Sequence, residues 1–146
     1  MDDTGNLKHI FPLDPRVLLS TLWIFVLFNY LYCDLMALMD PVLLNQFITG
    51  KVGGMVINEN FLLGAAVLME IPIAMVLLSR ILHYKANRWA NITAGSIKTL
   101  VMIATMFMGK PSNYYLFFGL IEIACTSFIV WYAWNWRNRE AEFATR

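Results

Sequence analysis

Four long apolar runs dominate this chain of 146 residues and leave it few ways to fold. They read VLLSTLWIFVLFNYLYCDLMALM (17–39), NFLLGAAVLMEIPIAMVLLSR (60–80), ANITAGSIKTLVMIATMFM (90–108) and NYYLFFGLIEIACTSFIVWYAW (113–134). A bilayer core asks for about 20 apolar residues in a helix. Backbone polar groups in lipid must bond within their own segment, so runs of this length predict helices. A closed barrel would need alternating strands of about ten residues, and the sequence has none. The expected fold is all-α, an integral membrane four-helix bundle, with 1–146 as a single transmembrane domain.

Composition agrees with that reading. Charged residues make up 14% of the chain and apolar residues 59%, against roughly 25% and 45–50% in soluble domains. A small soluble domain has a large surface to solvate and needs more charge than this. The formal net charge of +1 gives no reason to expect nucleic acid as a partner. Cys33 and Cys125 lie inside apolar runs without a C-x-x-C spacing, so they read as small hydrophobes. Asp2, Asp3, Pro12, Asp14 and Pro15 are unlike the basic leader of a cleaved signal, so the first run is expected to remain as an anchor.

Loop charge sets the expected orientation. Lys8, Arg16, Arg80, Lys85, Arg88, Arg137, Arg139 and Arg146 fall in the N-terminus, the 80–89 loop and the tail, whereas the other two loops hold only Lys51 and Lys110. The excess of basic residues predicts both termini on the cytoplasmic side. Trp89, Trp131, Tyr132, Trp134 and Trp136 at one end, with Tyr114 and Tyr115 at the other, read as interfacial belts. The 41–59 connection, with its glycine-rich TGKVGGMVIN, admits a re-entrant or interfacial turn and reads best as a plain outer loop.

Each run carries an ionisable side chain: Asp34, Glu70, Lys98 and Glu122, with Asp40 at the outer edge of the first. At a rise of about 1.5 Å per residue, Glu70, Lys98 and Glu122 share a level near the midplane and Asp34 lies about 9 Å further out. One such charge facing lipid costs on the order of 2.5–3.5 kcal/mol, so the expectation is that they turn inward, with Lys98 as counter-ion to Glu70 and Glu122. Three- and four-residue steps place Gly64, Val67 and Ala74 beside Glu70, and Asn91, Gly95, Met102, Thr105 and Gly109 beside Lys98. Tyr115, Gly119, Thr126 and Ala133 fall near the face of Glu122. On the first run Asn29, Tyr30, Cys33, Asp34 and Ala37 form a stripe toward the outer mouth. The candidate ligand-binding set is therefore Asp34, Glu70, Lys98, Glu122, Tyr30, Asn29 and Thr126.

Plainer roles stand beside this one. Lys98 can snorkel along its stem toward an interface. Glu70 and Glu122 can hold helices together as protonated hydrogen-bonding groups. Asp40 before Pro41 reads as a helix-end residue, although a carboxylate is out of place at a helix C-terminus. Pro72 removes a backbone donor and is expected to bend the second helix. There is no phosphate-binding glycine loop, H-E-x-x-H or G-x-S-x-G, and only His9 and His83 are present, so neither a cofactor nor a metal is expected.

The stretches LSTLWIFVLFNYLYCDLMALMDP and MEIPIAMVLLSRILHYKANRWANITAG resemble a family of small bacterial four-helix membrane proteins of unknown function, similar at a greater distance to DoxX-like bundles. The resemblance implies a four-span bundle over nearly the whole chain and no activity, ligand or catalytic residue. From the residues, the expected function is to bind or transport a small cationic or amphipathic ligand in an acidic cavity within the bilayer, coupled to protons. The alternatives are an isomerase or oxidoreductase acting on a lipid-soluble substrate, and a non-catalytic scaffold or accessory subunit. A homodimer would thicken the thin wall that four helices make.

Overall fold

The computed structural model describes residues 14–107 and 111–136. Lys8, His9, Met108, Gly109, Lys110, Arg137, Arg139 and Arg146, on which part of the orientation and span expectations rest, lie outside the described residues. Those described form five helices, α1 (Pro15–Met39), α2 (Pro41–Ile48), α3 (Glu59–Ile81), α4 (Tyr84–Met106) and α5 (Asn113–Asn135). Strands β1 (Lys51–Val52) and β2 (Met55–Val56) pair antiparallel between α2 and α3.

The helix starts follow from local chemistry. The Asp14 carboxylate accepts from the Arg16 amide at 2.9 Å, and Pro15 takes the first helical position, where its missing N–H costs nothing. Asn58 caps α3 through the Phe61 amide at 2.8 Å, with Glu59 in the positive first turn. Asp40 ends α1 and also starts α2, its carboxylate accepting from the amides of Val42 at 2.9 Å and Leu43 at 3.3 Å. This explains a carboxylate at the negative end of α1, because the same group sits at the positive end of α2.

The 41–59 segment is therefore not a plain loop. Its apolar half PVLLNQFI forms α2, and KVGGMV closes as a hairpin. Gly50, Gly53 and Gly54 all have positive φ, which the turns require and L side chains avoid. The Gln46 side-chain carbonyl accepts from the Gly53 amide at 3.3 Å and ties the hairpin to α2.

The 80–89 segment also differs from expectation. Only Leu82 and His83 separate α3 from α4, so Tyr84–Trp89 is the first turn and a half of a helix rather than loop. Charge and aromatic rings do not break a helix, and the apolar run marked only its inner part. At 23 residues α4 is as long as α3 and α5, about 34 Å. Among the described residues, α1, α3 and α5 are the helices long and apolar enough to cross a membrane by length and composition. In α4, Lys85, Asn87, Arg88, Asn91 and Lys98 dilute the apolar content.

The long helices alternate in direction. α1 packs against α3 and α5, and α4 packs against α5 and α3. A dense apolar core lies toward the end holding Pro15, Ile81, Tyr84 and Asn135, formed by Leu19, Trp23, Val26, Met75, Ala94, Ile129 and Tyr132. Toward the hairpin the packing thins on one side. Residues 59–67 of α3 are exposed throughout, and burial on this helix resumes at Pro72, Met75 and Ser79. The change falls near Pro72, which cannot donate to the Leu68 carbonyl one turn earlier. α4 and α5 approach closely at Gly95, where an added Cβ would lie 2.7 Å from Val130 Cγ2 and 3.3 Å from the Thr126 carbonyl oxygen.

Candidate functional site

Two polar layers occupy the interior, one on each side of the helix middles. The first lies among the apolar core residues. Asn91 Oδ1 accepts from Trp23 Nε1 at 2.7 Å and from Ser79 Oγ at 3.3 Å. Asn91 Nδ2 donates to Asn87 Oδ1 at 2.7 Å and to the Asn87 carbonyl at 2.9 Å. Asn87 Nδ2 in turn donates to the Ser79 carbonyl at 2.6 Å. Ser20 Oγ donates to the Val76 carbonyl at 2.8 Å and accepts from Arg80 Nε at 3.0 Å. Ser20, Trp23, Ser79, Asn87 and Asn91 are all fully buried, and Asn91 uses its whole hydrogen-bonding capacity. This layer joins α1, α3 and α4, and no buried side-chain nitrogen or oxygen of these five residues lacks a partner.

The sequence reading put Asn91 on the Lys98 face and Asn87 in a loop, and so missed the network. The signal was present: two asparagines four residues apart occupy one helix face.

At the same end Arg88 donates to the Trp134 carbonyl at 2.9 Å and sits 5.9 Å from the Trp134 ring centroid. Tyr84 donates to the Trp136 carbonyl and meets the Trp136 ring edge-on at 5.1 Å. The start of α4 thus supplies donors, one of them cationic, to the carbonyls that end α5, a favourable arrangement at the negative end of a helix.

The second layer lies toward the hairpin and is different in kind. Lys98 is 3% exposed and Glu122 2%. The Lys98 ammonium lies 4.0 Å from the centroid of the Tyr30 ring and 3.9 Å from Met69 Sδ. A cation over an aromatic face is attracted by the ring quadrupole. The Glu122 and Asp34 carboxylates are both within electrostatic reach of Lys98. Glu122 Oε2 is buried and accepts no hydrogen bond from a described residue, and the buried Tyr30 hydroxyl has no partner among the described residues either. Thr126 donates to the Glu122 carbonyl at 2.8 Å, and its oxygen lies 2.7 Å from Thr99 Oγ1, bridging α5 to α4. Tyr115 donates to Thr105 at 2.7 Å on the hairpin side of this level.

The expected set is therefore gathered in part. Tyr30, Lys98, Glu122 and Thr126 meet in the interior. Asp34 stands exposed at the edge, within electrostatic reach of Lys98. Asn29 is buried, but its amide turns back to its own Phe25 carbonyl at 2.9 Å. Glu70 does not join them. It is exposed on the outward face of α3, so it is not paired with Lys98, and the expected Glu70–Lys98–Glu122 grouping reduces to Lys98 with Glu122. Met69, its neighbour on the chain, takes the place against Lys98. Among the described residues no three His, Cys, Asp or Glu side chains gather to hold a metal ion.

The described part is an all-α protein with five helices, three of them able to cross a membrane by length and composition, apart from one short hairpin. The chain belongs to DUF6326, a family of unknown function, which it matches over residues 9–143. No curated protein and no solved structure matches it.

Proposed function

We propose that the chain is a four-span integral membrane protein, both termini cytoplasmic, that binds a small amphipathic amine at Glu122 and passes it in exchange for protons. The observation that carries the reading is Glu122 Oε2, a deeply buried carboxylate oxygen without a partner among the described residues, in a layer where the buried Tyr30 hydroxyl has none among them either. Buried polar groups in proteins are nearly always bonded, so an acceptor and a hydroxyl left open together suit a donor from outside the chain. Lys98 leans on the Tyr30 ring and Met69 rather than on the carboxylate, leaving Glu122 open while moderating the charge of the layer. Asp34 at the edge makes the approach acidic.

The apolar tail of such a ligand has room as well. Gly64 on α3 has nothing within 4 Å of where a Cβ would sit. For the spans, the support is the length of α4 and its packing between α3 and α5. For the orientation, it is Arg16, Arg80, Lys85 and Arg88 at the end opposite the hairpin, where Lys51 stands alone among the described residues.

The test is equilibrium binding of octylamine to the full chain in lipid nanodiscs, with octanol as the uncharged control. Saturable binding of the amine, weakened at least tenfold by Glu122→Gln, supports the reading. An affinity that Glu122→Gln leaves unchanged sinks it. The second reading then gains: Thr99–Thr126, Lys98–Tyr30 and Lys98–Met69 all cross between helices, as interhelical glue in an accessory subunit would.

A further inference from the structure

Glu70 occupies a position that one copy of the chain does not explain. It is the middle residue of α3, with eleven residues of the 23-residue helix on either side. Helical periodicity puts it opposite the face that buries Pro72, Met75 and Ser79. Around it the outward stripe reads Leu63, Ala66, Val67, Ile73 and Leu77, all exposed and all apolar. If α3 crosses a bilayer, as the reading above holds, this carboxyl group faces hydrocarbon at mid-depth. Ionisable groups at that depth almost always face protein or a water-filled path.

We infer that the Glu70 face of α3 is the interface of a homodimer, with α3 packed on α3 of a second copy across a two-fold axis and the two Glu70 carboxyl groups hydrogen-bonded to each other. A two-fold contact is isologous, so a residue near the axis meets itself. A carboxyl group suits such a contact, since a pair sharing at least one proton has both donor and acceptor. A lysine or arginine at this position would repel its copy. Ala66 and Ala74 lie one turn before and one turn after Glu70 on the same face, the first exposed and the second half-buried. Small residues at that spacing let two helix backbones approach closely, which is how helices associate in lipid. The contact uses the outer side of α3, so it leaves the Lys98–Glu122 layer of each copy untouched.

The experiment measures the oligomeric state of the full chain in liposomes, by single-molecule photobleaching over a range of protein-to-lipid ratios, for the natural sequence, Glu70→Leu and Glu70→Gln. Glutamine keeps a donor and an acceptor and should keep the dimer. Leucine suits a lipid-facing position but removes the bond, and is expected to raise the dissociation constant at least tenfold. Far-UV circular dichroism and recovery in the liposome fraction show that each variant is folded and inserted. Because Glu70 is exposed, Glu70→Leu should pass both checks. A natural chain that inserts but stays monomeric at every ratio overturns the dimer, as does a Glu70→Leu chain that dimerises like the natural one. A natural chain that is not retained by liposomes overturns the membrane reading instead. As a second measurement, Ala66→Cys in a chain lacking Cys33 and Cys125 should cross-link between copies. Phe117→Cys, on an exposed face of α5, should not. Equal cross-linking at the two positions would place the contact elsewhere.

Discussion

Replacing Asn91 by leucine tests whether the polar layer in the apolar core acts as one unit. The change keeps the size of the side chain and removes four hydrogen-bonding sites. Two partners recover by themselves. Ser79 Oγ can turn to a carbonyl of its own helix, and the Asn87 carbonyl keeps its helical bond. Trp23 Nε1 and Asn87 Oδ1 have no substitute, and both residues are fully buried. An orphaned buried group costs about 1–3 kcal/mol. Interhelical bonds in membranes run lower, averaging about 0.6 and reaching about 1.7 kcal/mol. Asn91→Leu is therefore expected to destabilise by about 2–3 kcal/mol. Trp23→Phe leaves Asn91 Oδ1 with Ser79 and should cost about 1–2 kcal/mol, bond and lost packing together. The Trp23–Asn91 bond is counted in both single changes, so the double variant should fall short of their sum by about 1 kcal/mol. Unfolding by SDS in mixed micelles, followed by circular dichroism, measures all three. Additivity to within about 0.3 kcal/mol would show that Trp23 and Asn91 are merely neighbours and would refute the argument.

The three helical glycines should respond to alanine in a graded order, read as changes in thermal midpoint. Gly95→Ala presses on Val130 and on the Thr126 backbone and is expected to cost about 1–3 kcal/mol. Gly119→Ala meets only the flexible ends of Met102 and Met106 and should cost less, whereas Gly64→Ala meets nothing and should be neutral or stabilising by up to about 1 kcal/mol. Lys98→Met should destabilise by about 2 kcal/mol or more, and adding Glu122→Gln should recover much of it, because a buried carboxylate stripped of its nearby cation is worse than an uncharged pair; failure of the second change to rescue the first would separate the two residues. Asp40→Ala removes the acceptor for the Val42 and Leu43 amides, and hydrogen exchange at those amides should speed up several-fold while the long helices keep their protection.

The sequence located helices more readily than it located their faces. Pro15 and Asp40-Pro41 bound the first run, and the expected spans 17–39, 60–80 and 113–134 each lie within two residues of α1, α3 and α5, whereas α2 falls in a segment expected to be loop. Depth follows from counting residues, which is how Lys98 and Glu122 come to be expected at one level, with Tyr30 placed only in a stripe toward the outer mouth. Direction around the helix axis does not follow from counting. α3 is apolar on nearly every side, so its pattern carries no signal of which side meets a neighbour. A single carboxylate on such a helix fits equally well inward or outward, and Glu70 proved to be outward. α4 has enough polar residues to declare its inner face, and Asn91, Gly95, Lys98 and Met102 are all buried as the spacing suggested. Its start was misplaced for the same reason, since the polar residues that continue the helix past the apolar run were read as loop.

The contrast between the two interior layers argues for their different uses. A chain that needed polar groups only to fix the register of its helices would satisfy them, and around Asn91 it does so completely. The hairpin side instead holds a lysine on an aromatic ring and, among the described residues, a carboxylate oxygen without a donor and a hydroxyl without a partner. Stability alone favours replacing such a set with apolar side chains of similar size. Its presence in the half where α3 stands off and the apolar core has ended is therefore better explained by an occupant than by packing. The dense half supplies the rigidity that holds the open half in shape, which is the support a ligand site requires. On this view, variants in the Asn91 layer should lower stability with ligand affinity falling only as the fold loosens, while variants at Glu122 should lower affinity in a chain that remains fully folded.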